Sequence, residues 1–407
     1  MPELLSPAGN REKLEAAIRY GADAVYMAGT FFGMRAAADN FSLPELKDAV
    51  AYAHARGVRA FITVNTMPRE HEYPRLREYL TALKDVKPDA LIVADLGVFM
   101  LAREILPEIE LHVSTQANTV SAETCRAWHS LGAKRVVLAR ELTLEEIKAI
   151  RAATPGSLEL EAFVHGAMCI SYSGRCLLSN FFTGRDGNRG ACAQPCRWNY
   201  KAVSLTVEEE KRPDLPLTML EEGGETFIMS SRDTCMIEHI PELMESGIDS
   251  FKIEGRMKSA YYAAVTANTY RMAINAYQRG EPYDPRWMRE LTSVSHREYG
   301  TGYYFDSSKE NANTTADTGY LRDKAYLATV LSYDEETGEA LCVQKNKMRL
   351  GDSVELLTPG AIGIPFVAEA LFDEAHAPIE ATPHPYMKFY LKTPFKVKEG
   401  DIIRGGE

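Results

Sequence analysis

Five of the seven cysteines in this chain fall in one stretch, Cys169-x6-Cys176-x15-Cys192-x3-Cys196-x38-Cys235, and four of them lie within 28 residues. Thiolates hold iron–sulfur clusters and structural zinc, and either centre needs about four of them converging on one place. The local text, MCISYSGRCLLSN and then GRDGNRGACAQPCRWNY, interleaves the thiols with glycines and arginines, so that a loop could fold tightly round a compact inorganic core. The alternative is a set of buried, unbonded cysteines packing as small hydrophobes. The start, MPELLSPAGN, lacks the basic flank and apolar run of a signal peptide, which leads to the expectation of a cytoplasmic protein. In that reducing compartment, clustered cysteines read as metal ligands or redox groups rather than disulfides.

A net charge of −11 argues against a protein that coats nucleic acid through overall charge. The cysteine stretch is a local exception, with Arg175, Arg185, Arg189, Arg197 and Lys201 against the single acid Asp186. These arginines could contact phosphates, or could equally neutralise thiolates and cap carbonyls. No window offers the roughly 18 apolar residues of a membrane span, so no membrane partner is expected.

Eight short apolar runs must carry the functional groups: Glu3 to Ser6, Ala24 to Met27, Arg59 to Val64, Ala90 to Ala94, Glu110 to Ser114, Arg135 to Leu138, Leu158 to Val164 and Ser250 to Ile253. Amphipathic stretches such as Asn10 to Tyr20 and Leu43 to Arg56 lie between them, and phrases like YGADAVYMAG and LGAKRVVLAR repeat the order helix end, glycine stop, strand. Repeated βα units in this number predict an α/β fold, a (β/α)8 TIM-like barrel over residues 1–283, with a doubly wound open sheet as the runner-up. The cysteines fall in a long insertion, residues 166–249, between strands seven and eight. Residues 284–318 read as a linker or arm, and residues 319–407, with alternating runs such as YLATVLSY and KFYLKTP, as a small β-barrel domain.

Loops after barrel strands form the catalytic face, and the strand ends supply a polar list. Asn65, Gln116, Asn118, Arg140, Glu141, Lys252 and Arg256 are the candidate substrate-binding residues, with Arg140 and Arg256 as forks for a carboxylate or phosphate. Glu161, His165 and Glu254 are the candidate catalytic groups. Glu161 and His165, four apart on one strand, are expected to face the same side and serve as acid and base, although His165 could be a core histidine. The aliphatic residues Ile62, Ile92, Val113 and Val137 are expected to fill the barrel interior. No H-E-x-x-H helix, G-x-S-x-G elbow or phosphate-binding glycine loop is present in the sequence.

The run EAFVHGAMCISYSGRCLLS from Glu161, together with GRDGNRGACAQPCRWNYK, SSRDTC and FKIEGRMKS, resembles the signature of the collagenase-like peptidases, family U-thirty-two. The resemblance spans the barrel and the insertion. It implies either a metal-dependent peptidase or, as in other bacterial members, a hydroxylation enzyme carrying a cysteine-bound 4Fe-4S cluster. The length and the small β-domain are most similar to the members that form 5-hydroxyuridine at the tRNA wobble position, which implies tRNA as partner and prephenate, a dicarboxylate, as co-substrate. Carried over residue by residue, Cys169, Cys176 and Cys235 match ligand positions, with Cys192 or Cys196 as the fourth; zinc remains the competing occupant. Arg175, Arg185, Arg189 and Arg197 would then contact tRNA. A noncatalytic iron–sulfur scaffold working with a family-member or electron-transfer partner is the further alternative.

Overall fold

The computed structural model describes residues 1–34, 39–198, 220–222, 225–227, 230–305, 314–315 and 320–405; Lys201 lies outside them. Eight parallel strands close on themselves: β1 (Glu3–Pro7), β2 (Ala24–Met27), β3 (Arg59–Val64), β4 (Ala90–Val93), β5 (Glu110–Val113), β6 (Arg135–Val137), β7 (Glu159–Ala167) and β8 (Ser250–Ile253), with β8 paired to both β7 and β1. The closed ring is the expected barrel and rules out the open sheet. Local chemistry starts its helices: Ser42 with Glu45 and Thr143 with Glu146 form reciprocal caps, and Asn10 and Ser259 accept from the backbone N–H three residues on.

The barrel interior matches the expected aliphatic filling only in part, with Ile92 inside as expected. Ile62 and Val113 face outward into the core shared with the helices, while Phe61, Thr63, His112 and Ser114 face inward. Leu5, Ala24, Tyr26, Phe61, Ala90 and Ile92 form an apolar cluster in the interior. Charged groups pack against it, with Arg59 and Arg135 over the Phe61 ring. Arg135, 2% exposed, bonds Glu3, Glu159 and Glu161, and Arg59 bonds Glu3 and Glu110.

The expected arm opens with structure of its own. Helix Arg286–Thr292 buries Trp287 and Leu291 on one face, and strand Tyr299–Gly300 runs parallel to Asp233–Cys235. Beyond it, seven antiparallel strands form a half-barrel over a core that includes Val330, Val354, Phe389 and Ile403. Buried Arg404 ties this sheet to the arm by bonding Glu290 at 2.7 Å and Ser293 at 3.1 Å. Among the described residues, no helix is long and apolar enough to cross a membrane.

Candidate active site

β7 is longer than its neighbours and carries the chain past the barrel rim. At Gly166 φ is +105°, and a Cβ there would stand 2.4 Å from the Glu254 carbonyl oxygen, so glycine is required where the insertion leaves. Gly166 and its flanking residues then pair antiparallel with Asp233–Cys235. Arg140 Nη1 donates to the Ala167 carbonyl (2.8 Å) and Arg197 Nη2 to that of Met168 (2.9 Å). Asn118, left-handed at φ +55°, donates to the Ser173 carbonyl and accepts from Arg175 Nε, while both Arg189 Nη atoms reach Glu72 at 2.8 Å.

These anchors bring Cys169, Cys176, Cys192 and Cys196 to one cavity of about 340 Å³ at the mouth, which Gln116, Arg140, Arg197, Glu254 and Lys258 also line. The Gln194 backbone N–H donates to Cys192 Sγ at 3.4 Å. Burial pushes the Cys196 thiol up, Arg197 pulls it down, and the thiols of Cys169, Cys192 and Cys176 push it up again, a measure of how close the set lies. Among the described residues, no three His, Cys, Asp or Glu side chains converge tightly enough to hold a single ion. Cys235 is outside this cavity. It pairs with His165 across the antiparallel strands and is buried beside Ile237 and Tyr270, where burial drives its thiol up to about 12. The four thiols that share the mouth are therefore not the set implied by resemblance.

Below the thiols a smaller pocket of about 70 Å³ continues into the barrel, sharing Met34, Gln116, Arg140 and Glu254 with the larger one. Three cations line it: Arg140, Lys252 and Arg256. Arg140 lies over the Phe163 ring (4.3 Å) with its buried Nε unbonded, Arg256 Nη1 donates to Thr63 Oγ1 (3.0 Å), and Asn65 bridges Ser114 and the Met34 backbone. Gln116, Asn65 and Glu254 are thus where the sequence suggests. Asn118 and Glu141 line neither pocket: Asn118 anchors the insertion, and Glu141 is half-buried, with partial loss of solvent raising its carboxyl.

Glu161 and His165 do not share a face. Between β7 and β8, Phe163 pairs with Lys252 but His165 pairs with Ile253, so β7 carries an extra residue at this point. Such a bulge reverses the alternation of side chains. Glu161 points inward beneath the pocket, its oxygens bonded to Lys252 Nζ (2.6 Å) and Arg135 Nη1 (2.8 Å). Burial alone would raise its carboxyl, but Lys252 and Arg135 hold it down to about 2. His165 packs among Tyr262, Tyr270 and Tyr299, and burial lowers its imidazole to about 3. Neither is an acid or base for a ligand at the mouth.

Of the four candidate RNA-contacting arginines, Arg175 and Arg185 are exposed, Arg197 lines the thiol cavity, and Arg189 is spent on Glu72. Sequence reasoning missed Tyr26, Thr63 and Ser114, which line the lower pocket. Strand alternation could have found two of them, since Thr63 and Ser114 each stand two residues before a named polar residue. Lys258 and Tyr320 reach the mouth from loops and leave no periodic signal.

The model of peptidase family U32 matches residues 9–314, and that of the family's C-terminal domain matches residues 322–404. The chain is 36% identical to tRNA hydroxylation protein P1 of Bacillus subtilis over 100% of its own length and 95% of the relative's. It is 32% identical to a collagenase of Porphyromonas gingivalis, covering 88% of this chain and 86% of that one. It is 37% identical to the 23S rRNA 5-hydroxycytidine C2501 synthase of Escherichia coli, across 69% of this chain and 40% of that one. With both family regions matched and near full-length similarity to a curated member, the chain belongs to peptidase family U32.

Proposed function

We propose that this protein is a cytoplasmic enzyme of RNA hydroxylation whose substrate is the wobble uridine of tRNA, converted to 5-hydroxyuridine, with a cysteine-held 4Fe-4S cluster and prephenate as co-substrate. The observation that carries the reading is the pairing of four thiols at the mouth with a cationic pocket directly below them. A tetrahedral zinc, with bonds of about 2.3 Å, would draw its sulfurs to one point, whereas a cluster takes one thiolate per iron and spreads them. Four thiols lining one cavity supply the ligand type and number that a cluster takes. Cys169, Cys176, Cys192 and Cys196 would hold the group, which supplies a redox centre beside the target base.

The remaining work falls to protein groups. Arg140 and Arg256 would bind the two carboxylates of the co-substrate, with Lys252, held by Glu161, adding charge from below. Gln116, Asn65 and Glu254 offer hydrogen-bond partners for a uracil edge. The collagenase relative invites a peptidase reading, but a water-activating pair is not formed by Glu161 and His165, which face opposite sides.

The test is anaerobic purification with iron, sulfide and zinc analysis, followed by nucleoside analysis of tRNA from cells carrying each cysteine variant. Nearly four irons and sulfides per chain, lost in Cys196→Ser with 5-hydroxyuridine but kept in Cys235→Ser, is the expected result. Stoichiometric zinc without iron, or unchanged 5-hydroxyuridine in every variant, would overturn it.

A further inference from the structure

The thiol cavity opens outward into a third space of about 300 Å³, which shares Cys192, Gln194, Arg197, Met257 and Tyr320 with it. Trp198, 37% exposed, and Tyr320, 55% exposed, both line this outer groove, as do Arg185, Arg197 and Arg297. The Trp198 indole is held in place by its Nε1–H, which donates to the Ala193 carbonyl at 3.0 Å. From Trp198 the aromatic surface continues to Phe182, 6.2 Å away between ring centres, and on to Phe181, a further 5.2 Å and 80% exposed. Helix Leu178–Thr183 thus turns two adjacent phenylalanines toward solvent instead of a core. Exposed large rings gathered at the rim of a cavity mark an interaction surface.

The charge around the rings selects the occupant. Between Cys169 and Trp198 four arginines face one acid, within a chain whose net charge is −11. Flat apolar faces interleaved with guanidinium groups suit unpaired nucleotides, whose bases stack while their phosphates are neutralised. A paired helix would present phosphates but no open base faces.

We infer that Trp198, Tyr320 and Phe181–Phe182, with Arg185 and Arg197, form a stacking clamp for the unpaired nucleotides next to the target base of an RNA loop, which guides that base into the thiol cavity. This rests on the RNA reading above and adds the surface that recognises the loop. Exposed Arg185 then meets phosphate, Arg197 both borders the groove and anchors the Met168 carbonyl, and Arg189 holds the insertion in place through Glu72.

The experiment uses the full-length protein, a fluorescein-labelled RNA stem-loop and a fully paired duplex of equal charge. Trp198→Ala, Tyr320→Ala and Phe181→Ala are each expected to weaken stem-loop binding about tenfold, in line with roughly 1–3 kcal/mol per stacked base. The dependence on salt should be unchanged and the duplex affinity little altered, while Trp198→Phe should recover most of the loss. Phe181 is so exposed that its truncation removes no core packing, and thermal melts check the other variants. Alanine variants that keep wild-type stem-loop affinity would overturn the clamp while leaving the RNA reading in place. So would equal losses toward stem-loop and duplex, or a dimer that dissociates when the rings are removed, which would make the rings a contact between copies. A wild-type protein that binds no stem-loop would overturn the clamp and the RNA reading together.

Discussion

Arg135 opens β6 and Arg140 stands three residues past its end, and their surroundings are opposite. Arg135 is enclosed by the carboxylates of Glu3, Glu159 and Glu161, and Glu161 is in turn bonded to Lys252. Arg140 gives one hydrogen bond to a carbonyl, rests on the Phe163 ring, keeps its Nε unbonded, and borders both the thiol cavity and the pocket beneath it. A buried charge whose partners are all in place holds a fold in one arrangement; removing one partner strands the rest at high cost. A guanidinium with spare donors beside a cavity is arranged for something that arrives. The barrel thus has a closed ionic floor and an open, polar mouth.

The sharpest way to break that comparison is Glu161→Ala. It leaves Arg135 and Lys252 without their shared partner, and a loss of about 3–5 kcal/mol in unfolding free energy is expected from denaturant titration. A variant that melts with the wild type would show that the floor is not structural.

Acid should act on the buried groups next. His112 and His165 have folded values of about 4 and about 3, below the ordinary value near 6.5, so the unfolded chain takes up protons first as pH falls. Their contribution is complete above about 6.5 and is lost on the way down to those values. Glu161, held to about 2, adds its own loss between roughly 4 and 2. A melting temperature that declines steadily from about pH 6.5 downward is the expected profile; a flat one over that range would contradict the burial of these groups.

The smallest effect is expected at the rim. Arg189→Ala removes the fork to Glu72, whose carboxyl that fork holds down to about 2, but both partners are partly exposed and solvent screens them. A change of no more than about 1 kcal/mol in stability is predicted by thermal melting. A much larger loss would mean that the insertion supports the barrel as well as the reverse.

Much of the fold was legible because its signals are local. The apolar runs, the glycine stops and caps such as Ser42 with Glu45 lie within a few residues of the elements they define, so all eight strands fall where the chain text places them. The short helix Arg286–Thr292 was hidden by the glycine- and asparagine-rich text that follows it, although Trp287 and Leu291 sit at helical spacing. Site residues at the ends of strands, such as Asn65 and Gln116, were legible for the same reason.

What the sequence by itself determined is the inventory: eight βα units, a cysteine-rich insertion before the last of them, and polar residues just beyond the strands. Tertiary structure alone decided which members of that inventory meet. A single extra residue in β7 turns His165 away from Glu161, because side-chain alternation has a period of two and one bulge inverts it. Cys235 is carried into the core beside Tyr270 while four other thiols gather at the mouth, since pairing between Asp233–Cys235 and the end of β7 is a long-range contact that spacing along the chain does not encode.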